Sequence, residues 1–437
     1  MAQDGKASAN GDGQGVSSAP SISLPKGGGA IRGIGEKFAA NPVTGTGTMS
    51  VPIATSPGRS GFGPQLSLSY DSGAGNGAFG FGWALSLPQI TRKTDKGLPQ
   101  YSDAEESDVF ILSGAEDLVP VLVDQNGTWG PEALPTRAIG GDSYTIRRYR
   151  PRIEGLFARI ERWTRDADGD VHWRSISSDN VLSLYGESSS SRIADPADPR
   201  RVFTWLISET RDDKGNAILY DYKAEDGAGV DLTSAHERNR GDRDDPRRAT
   251  NRHLKRIRYG NRVPLLDGDG GRPRALSAAQ IQTAGWMFEV VLDYGEHDAD
   301  APRPDDAAPW PNRVDAFSTY RAGFEVRTSR LCQRVLMFHH FAGEPGVGVD
   351  CLVRSTDFTY SDELDPTDVR NPVYTFLLSV TQSGYKRSNG GYLKRSMPPV
   401  EYEYTKPVVQ QTVHDVDAAS LQNLPIGVDG AAYEWTD

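Results

Sequence analysis

Trp286-Met287-Phe288-Glu289-Val290-Val291-Leu292-Asp293-Tyr294 repeats with a period of two. Trp286, Phe288, Val290, Leu292 and Tyr294 share one side while Glu289 and Asp293 share the other, the pattern of a pleated strand; a helix would scatter them. The same period recurs in Leu66-Ser67-Leu68-Ser69-Tyr70, in Ile218, Tyr220 and Tyr222, and in Val400, Tyr402 and Tyr404 against Glu401 and Glu403. Turn signals separate these runs: Asn126-Gly127, Lys214-Gly215-Asn216, Asp267-Gly268-Asp269-Gly270 and Asn389-Gly390-Gly391. Helical signal is confined to Leu276–Thr283, and no alternation of strand and helix supports a parallel sheet. The reading is all-β: many short antiparallel strands with long loops and a minor helix.

The 437 residues suffice for a large core, and 47 glycines with 28 prolines fit many tight turns. Acids outnumber bases 59 to 48, so a net charge of -11 repels a phosphate backbone and speaks against nucleic acid as a partner. Basic residues cluster at Arg147, Arg148, Arg150 and Arg152, and between Arg238 and Arg258. The second run is interleaved with Asp242, Asp244 and Asp245 and reads as a solvated loop face. Two cysteines, Cys332 and Cys351, exclude a disulfide framework and read as buried thiols. No apolar stretch is long enough for a membrane span, and the first 30 residues carry no secretion-signal core. Residues 1–33, almost devoid of large side chains, are expected to be a disordered Gly/Ser-rich lead. Polar stretches at about 187–200, 224–251 and 298–312 read as long surface loops.

The segment Gly33–Arg92 carries a more specific signal. Gly35-Glu36-Lys37-Phe38, Asn41-Pro42-Val43-Thr44-Gly45-Thr46-Gly47 and Val51-Pro52-Ile53 lead into Leu66–Tyr70. Ser72-Gly73, Gly75-Asn76-Gly77, Phe79-Gly80-Phe81-Gly82-Trp83 and Leu85–Arg92 then follow. Physically these are two strands joined by a glycine-dense connection in which Phe79, Phe81 and Trp83 lie against bare backbone. Together the residues resemble the opening of the SpvB family, which includes the B components of insecticidal toxin complexes. The likeness extends over 34–437 through Asp213–Asn216 with Tyr220 and Tyr222, Leu254–Asn261 and Ser396–Tyr402.

The resemblance implies a non-catalytic β-domain in the wall of a hollow Rhs-type shell with tyrosine-rich YD-repeat strands, enclosing a toxic effector. It implies that a β-propeller, the rest of the shell and the effector continue beyond Tyr433–Asp437, and that toxin-complex A and C components are partners. It also implies synthesis in the bacterial cytoplasm followed by release without a conventional signal peptide.

Glu401 and Glu403 form the Glu-x-Glu pair of ADP-ribosyltransferases, but the Arg and Ser-Thr elements such chemistry needs are matched only by Arg354, Ser355 and Thr356, at unsuitable spacing. Asp166-Ala167-Asp168-Gly169-Asp170 starts like a calcium loop, yet Val171 and Ser177 stand where Gly and an acid are required, so a hairpin turn is expected; a loosely held cation at Asp267–Gly270 stays open. Cys332, His339, His340 and Cys351 are admissible zinc ligands without a paired spacing. Glycines 73, 75 and 77 do not open a helix, which disfavours a phosphate cradle. Exposed Trp and Tyr leave a carbohydrate-binding module as a further alternative. No catalytic, cofactor or metal residue is therefore assigned.

Overall fold

The computed structural model describes residues 35–40, 45–113, 117–132, 134–155, 157–361 and 374–405, together with 412, 413, 415, 417, 419 and 422. The lead over 1–33 lies outside the described residues. Eight strands close a barrel in the order Asp142–Pro151, Arg159–Arg165, Val171–Ile176, Leu182–Tyr185, Val202–Arg211, Gln89–Arg92, Phe110–Leu112 and Asp117–Pro120. The last returns to the first through Tyr149↔Pro120 and Pro151↔Leu118. Register places Ile90, Phe110, Leu118, Tyr149, Ile160, Trp173, Tyr185, Trp205 and Ile207 on buried positions of one connected core. Trp173 lies at its centre, with ring centroids 4.9 Å from Phe110, 4.9 Å from Tyr149 and 6.0 Å from Trp205. The barrel is thus a packed core rather than a pore.

Strand Val202–Arg211 belongs to two structures at once. Along one edge, Thr204–Leu206 pairs with Gln89–Thr91, whereas Glu209–Arg211 pairs with Ala217–Leu219. From that fork an open antiparallel sheet continues through Ala217–Ala224, Arg252–Asn261, Trp286–Asp293, Arg334–Phe341, Gly348–Tyr360, Leu377–Ser388 and Gly391–Ser396. A smaller sheet of Lys37–Ala40, Gly47–Ile53, Leu66–Asp71 and Trp83–Leu85 packs on one face of it. Val51, Ile53, Leu66, Leu68 and Trp83 share a core with Tyr259, Val290, Met337, Leu377 and Val380. The one α-helix among the described residues, Ala278–Thr283, starts at a capping box in which Ser277 Oγ accepts from the Gln280 N–H and Gln280 Oε1 from the Ser277 N–H. No helix among the described residues is long and apolar enough to cross a membrane.

The glycine-dense connection is required by space. Gly82 has φ +79°, and a Cβ there would stand 2.4 Å from the Tyr70 ring; at Gly80, φ +88°, it would stand 2.8 Å from the Thr375 carbonyl oxygen. Phe79 is buried edge-on to Phe358 and Trp83 against Tyr70 and Tyr402, rather than against bare backbone, while Phe81 is only half-buried and meets Tyr374 and Phe376.

One expectation is corrected. The basic run Arg238–Arg258 is a solvated face only in part: Arg238, Arg243 and Arg247 are exposed, with Asp242 and Asp244 between them. Arg248 is buried on Glu237, Arg240 bridges Glu237 and Glu325, and Lys255 is buried within strand Arg252–Asn261. The interleaved acids suggested solvation throughout, but these three cations turn onto Glu237, Glu325 and Glu296, because a buried cation must be paired.

Candidate functional site

Polar groups converge at three buried places in the open sheet. At the first, Asp315 accepts from Arg313 Nε (2.7 Å), Arg313 Nη2 (3.0 Å), Asn76 Nδ2 (2.7 Å), the Thr375 N–H (2.8 Å) and Thr375 Oγ1 (2.7 Å). This carboxylate ties the glycine-dense segment, the 313–315 loop and the start of the penultimate strand together. Burial raises its pKa, but the Arg313 guanidinium and the other donors outweigh that and hold it at about 2, against 3.8 ordinarily. A depressed pKa gives stability present above 3.8 and lost as pH falls toward 2. Replacing Asp315→Asn is expected to cost about 2 kcal/mol at neutral pH, with the gap to wild type narrowing over that window in urea titrations.

At the second, Glu225 accepts from Arg330 Nε (2.6 Å), His253 Nε2 (3.1 Å) and the Ser329 N–H (3.2 Å), all within the core. At the third, Asp293, Glu296 and His297 bring ligand atoms within 4.8 Å of one another, the geometry of a small metal seat. Cationic side chains already serve these groups. Lys255 Nζ donates to Glu296, to His297 Nε2 (2.7 Å) and to Asp306 (3.0 Å), and Arg334 pairs with Asp293 at 2.6 Å. Burial, and then the Lys255 ammonium, hold the His297 imidazole below its ordinary pKa. The arrangement suits a protein-supplied cation rather than a metal.

The residues singled out from sequence are not brought together as sets; the cross-strand pair among them is His339 and Cys351, level with each other on neighbouring strands. Glu401 is exposed and level with Ser379, whereas Arg354 is level with Gly384, five residues or about 17 Å along the same strand. Glu403 is exposed, while Tyr402 and Tyr404 turn inward; Trp83 Nε1 donates to Tyr404 Oη at 2.7 Å. Ser355 and Thr356 are buried, with Ser355 Oγ on Tyr385 Oη. Asp166–Asp170 forms the turn between strands Arg159–Arg165 and Val171–Ile176, where Arg165 holds Asp168 and Arg192 holds Asp170. Asp267 Oδ1 is satisfied by the N–H groups of Asp269 and Gly271. Cys332 and Cys351 are separate buried thiols. His339 bonds Ser56 Oγ at 2.7 Å, while His340, its strand neighbour, bonds Glu289 at 2.9 Å from the opposite face. Exposed Trp129 and Tyr320 belong to separate hairpins.

An open groove of about 810 Å³ lies where the small sheet stops covering the terminal hairpin Leu377–Ser388/Gly391–Ser396. Its floor is Gly384, flanked across the strands by Arg354 and Arg395, with Lys386, Leu393 and Met397 beside them. Among the described residues none of Arg354, Lys386 and Arg395 has a carboxylate partner within 4 Å. The hairpin turns through Asn389-Gly390, both at positive φ, as the Asn-Gly signal required.

The sequence model of the family described as Salmonella virulence plasmid 65kDa B protein matches residues 41–341. The chain belongs to the SpvB family. Over 378 residues it is 35% identical to the mono(ADP-ribosyl)transferase SpvB of Salmonella choleraesuis, covering 84% of this chain and 58% of that protein. The Salmonella typhimurium protein is also 35% identical with the same coverage. The chain therefore spans 58% of the length of these curated relatives. The solved N-terminal domain of effector protein SpvB from Salmonella typhimurium superposes with a TM-score of 0.63 at 34% identity, over 77% of this chain and 99% of that one. The crystal structure of TcdB2-TccC3 gives 0.69 at 32% identity, over 89% of this chain and 17% of that one. A Photorhabdus luminescens Tc holotoxin pore gives 0.68 over the same shares.

Within this SpvB-family chain the buried ionic groups escaped the sequence reading. Strand periodicity assigned Glu289 and Asp293 to one side, but it carries no information on whether a second layer covers that side, and both are buried. The signal available was density of charge: Lys255, Asp293, Glu296 and His297 all lie in or beside apolar strands.

Proposed function

We propose that this SpvB-family chain is a non-catalytic wall segment of a larger bacterial toxin, forming part of a hollow shell around an effector carried elsewhere in the polypeptide. The supporting observation is one hydrogen-bonded ladder running from the barrel through the open sheet to Gly391–Ser396, with a fold matching TcdB2-TccC3 over 89% of this chain. A continuous antiparallel sheet of this length is suited to enclosure. The chain's share of TcdB2-TccC3, 17%, agrees with one wall segment among several. In this reading the propeller, the remaining Rhs-type strands and the toxin-complex A and C components are the neighbours, and delivery follows cytoplasmic synthesis and release.

Transferase chemistry is assigned to other parts of such proteins, because the Glu401 and Arg354 positions lie apart and Glu401 and Glu403 face solvent. Two measurements test the proposal. Electron cryomicroscopy of the whole polypeptide from the reading frame is expected to show a hollow particle with this segment in its wall; a solid particle would refute it. Incubation of this segment with labelled NAD is expected to give no transfer, and transfer abolished by Glu403→Ala would establish an enzyme instead.

A further inference from the structure

The end of the open sheet carries two complementary features. Ser388 and Gly391 close a two-residue turn, so they form a hydrogen-bonded pair, and the pattern alternates from there. Gly391, Leu393 and Arg395 therefore direct their backbone groups toward strand Leu377–Ser388. Tyr392 and Lys394 direct theirs outward. Among the described residues strand Gly391–Ser396 pairs only with Leu377–Ser388, as does the short strand Val400–Glu401, so its outer edge is open. An uncovered edge of this kind accepts an added strand.

The side chains beside that edge specify the charge of the visitor. Arg354 and Arg395 stand about 10 Å apart on either side of Gly384, two strand spacings across the sheet. A Cβ built on Gly384 would meet nothing within 4 Å, so the floor between the two guanidinium groups is empty. Lys386 adds a third cation, and Leu393, 61% exposed, and Met397, 38% exposed, add apolar contact area. This concentration of positive charge stands out in a chain of net charge -11.

We propose that the groove and the Tyr392/Lys394 edge form a binding site for an acidic extended peptide segment, which joins the sheet as a further antiparallel strand and turns carboxylates toward Arg395, with Lys386 and Arg354 adding positive charge further in. A second copy of this chain is a poor occupant, because edge-to-edge pairing would bring the basic strand of Lys394 and Arg395 against an equally basic one. Nucleic acid is also a poor occupant, since the chain as a whole repels it and a phosphate backbone offers nothing to the outward N–H and C=O groups. The inference holds whether or not the chain lines a shell.

The test uses fluorescence anisotropy with a labelled (Thr-Glu)6 peptide, a (Thr-Lys)6 peptide and a short DNA oligonucleotide. The acidic peptide is expected to bind the wild-type chain in a salt-sensitive manner, and the other two are not. Charge reversal at the exposed groove arginines, Arg354→Glu with Arg395→Glu, is expected to weaken binding about tenfold or more. Lys394→Pro, which removes one outward N–H, is expected to weaken it further than Lys394→Ala, which removes only the side chain. Circular dichroism checks that each variant keeps its fold, and Arg395→Glu alone, at the end of an exposed strand, serves where the double variant does not. No binding of the acidic peptide, unchanged binding after charge reversal, or equal binding of the oligonucleotide overturns the proposal.

Discussion

Glu225→Ala is expected to lose about 3–5 kcal/mol in equilibrium urea unfolding, a large part of the stability of an ordinary domain. Arg330 is 0% exposed and aims Nε at the Glu225 carboxylate, while its other nitrogens donate to the Ala228, Trp310 and Pro311 carbonyl oxygens and to Asp226. Those carbonyl groups hold the guanidinium in place but do not neutralise it. Burial raises the pKa of Glu225, yet hydrogen bonding from His253 and the charge of Arg330 bring it below its usual value. Deleting the carboxylate leaves a cation in the core with only the partly exposed Asp226 beside it. The double replacement Glu225→Leu with Arg330→Met removes both charges and is expected to be milder than Glu225→Ala alone. A single variant within about 1 kcal/mol of wild type would show that water reaches the site.

Trp173→Ala carries the second large effect, about 3–5 kcal/mol, through packing alone. The indole is 0% exposed at the centre of the barrel, and its N–H has no acceptor among the described residues, so no hydrogen bond is lost. What remains is a cavity lined by Phe110, Tyr149 and Trp205, held apart by a closed ring of strands that cannot collapse inward. Loss of near-ultraviolet circular dichroism together with a lowered urea midpoint is the expected readout. Trp163→Ala is the comparison on the outer barrel face, where Arg174 stacks on the ring at 4.0 Å and Trp163 Nε1 donates to Glu161 Oε2 at 2.9 Å, so that a hydrogen bond is lost there as well as packing.

Local chemistry made the strands and turns legible. Trp286–Tyr294, Leu66–Tyr70 and the Asn126-Gly127 and Asn389-Gly390 turns are written in period and φ preference, and all appear in the structure. The family likeness in Gly33–Arg92 was legible for the same reason, because Gly80 and Gly82 meet steric demands that few other residues satisfy. Barrel closure was not. It depends on Gln89–Arg92 finding Val202–Arg211, with Arg92 Nε reaching the Val202 carbonyl oxygen 110 positions away. Nothing in either strand names its partner. The Asp315 hub escaped notice likewise, since its donors come from positions 76, 313 and 375. The Arg354–Gly384–Arg395 groove is spread over three strands and reads along the chain as unrelated residues.

The small sheet's anchors lie far ahead of it in the order of synthesis. Gln382 Nε2 reaches the Pro52 carbonyl oxygen across 330 positions, and Trp83 meets Tyr404 across 321. At ribosomal rates of about 5–20 residues per second, the first apolar strands wait roughly a quarter of a minute to a minute before those anchors emerge. Val51, Ile53, Leu66 and Leu68 spend that interval without their final cover, which makes the amino-terminal strands the apolar surface longest open to misassociation during synthesis.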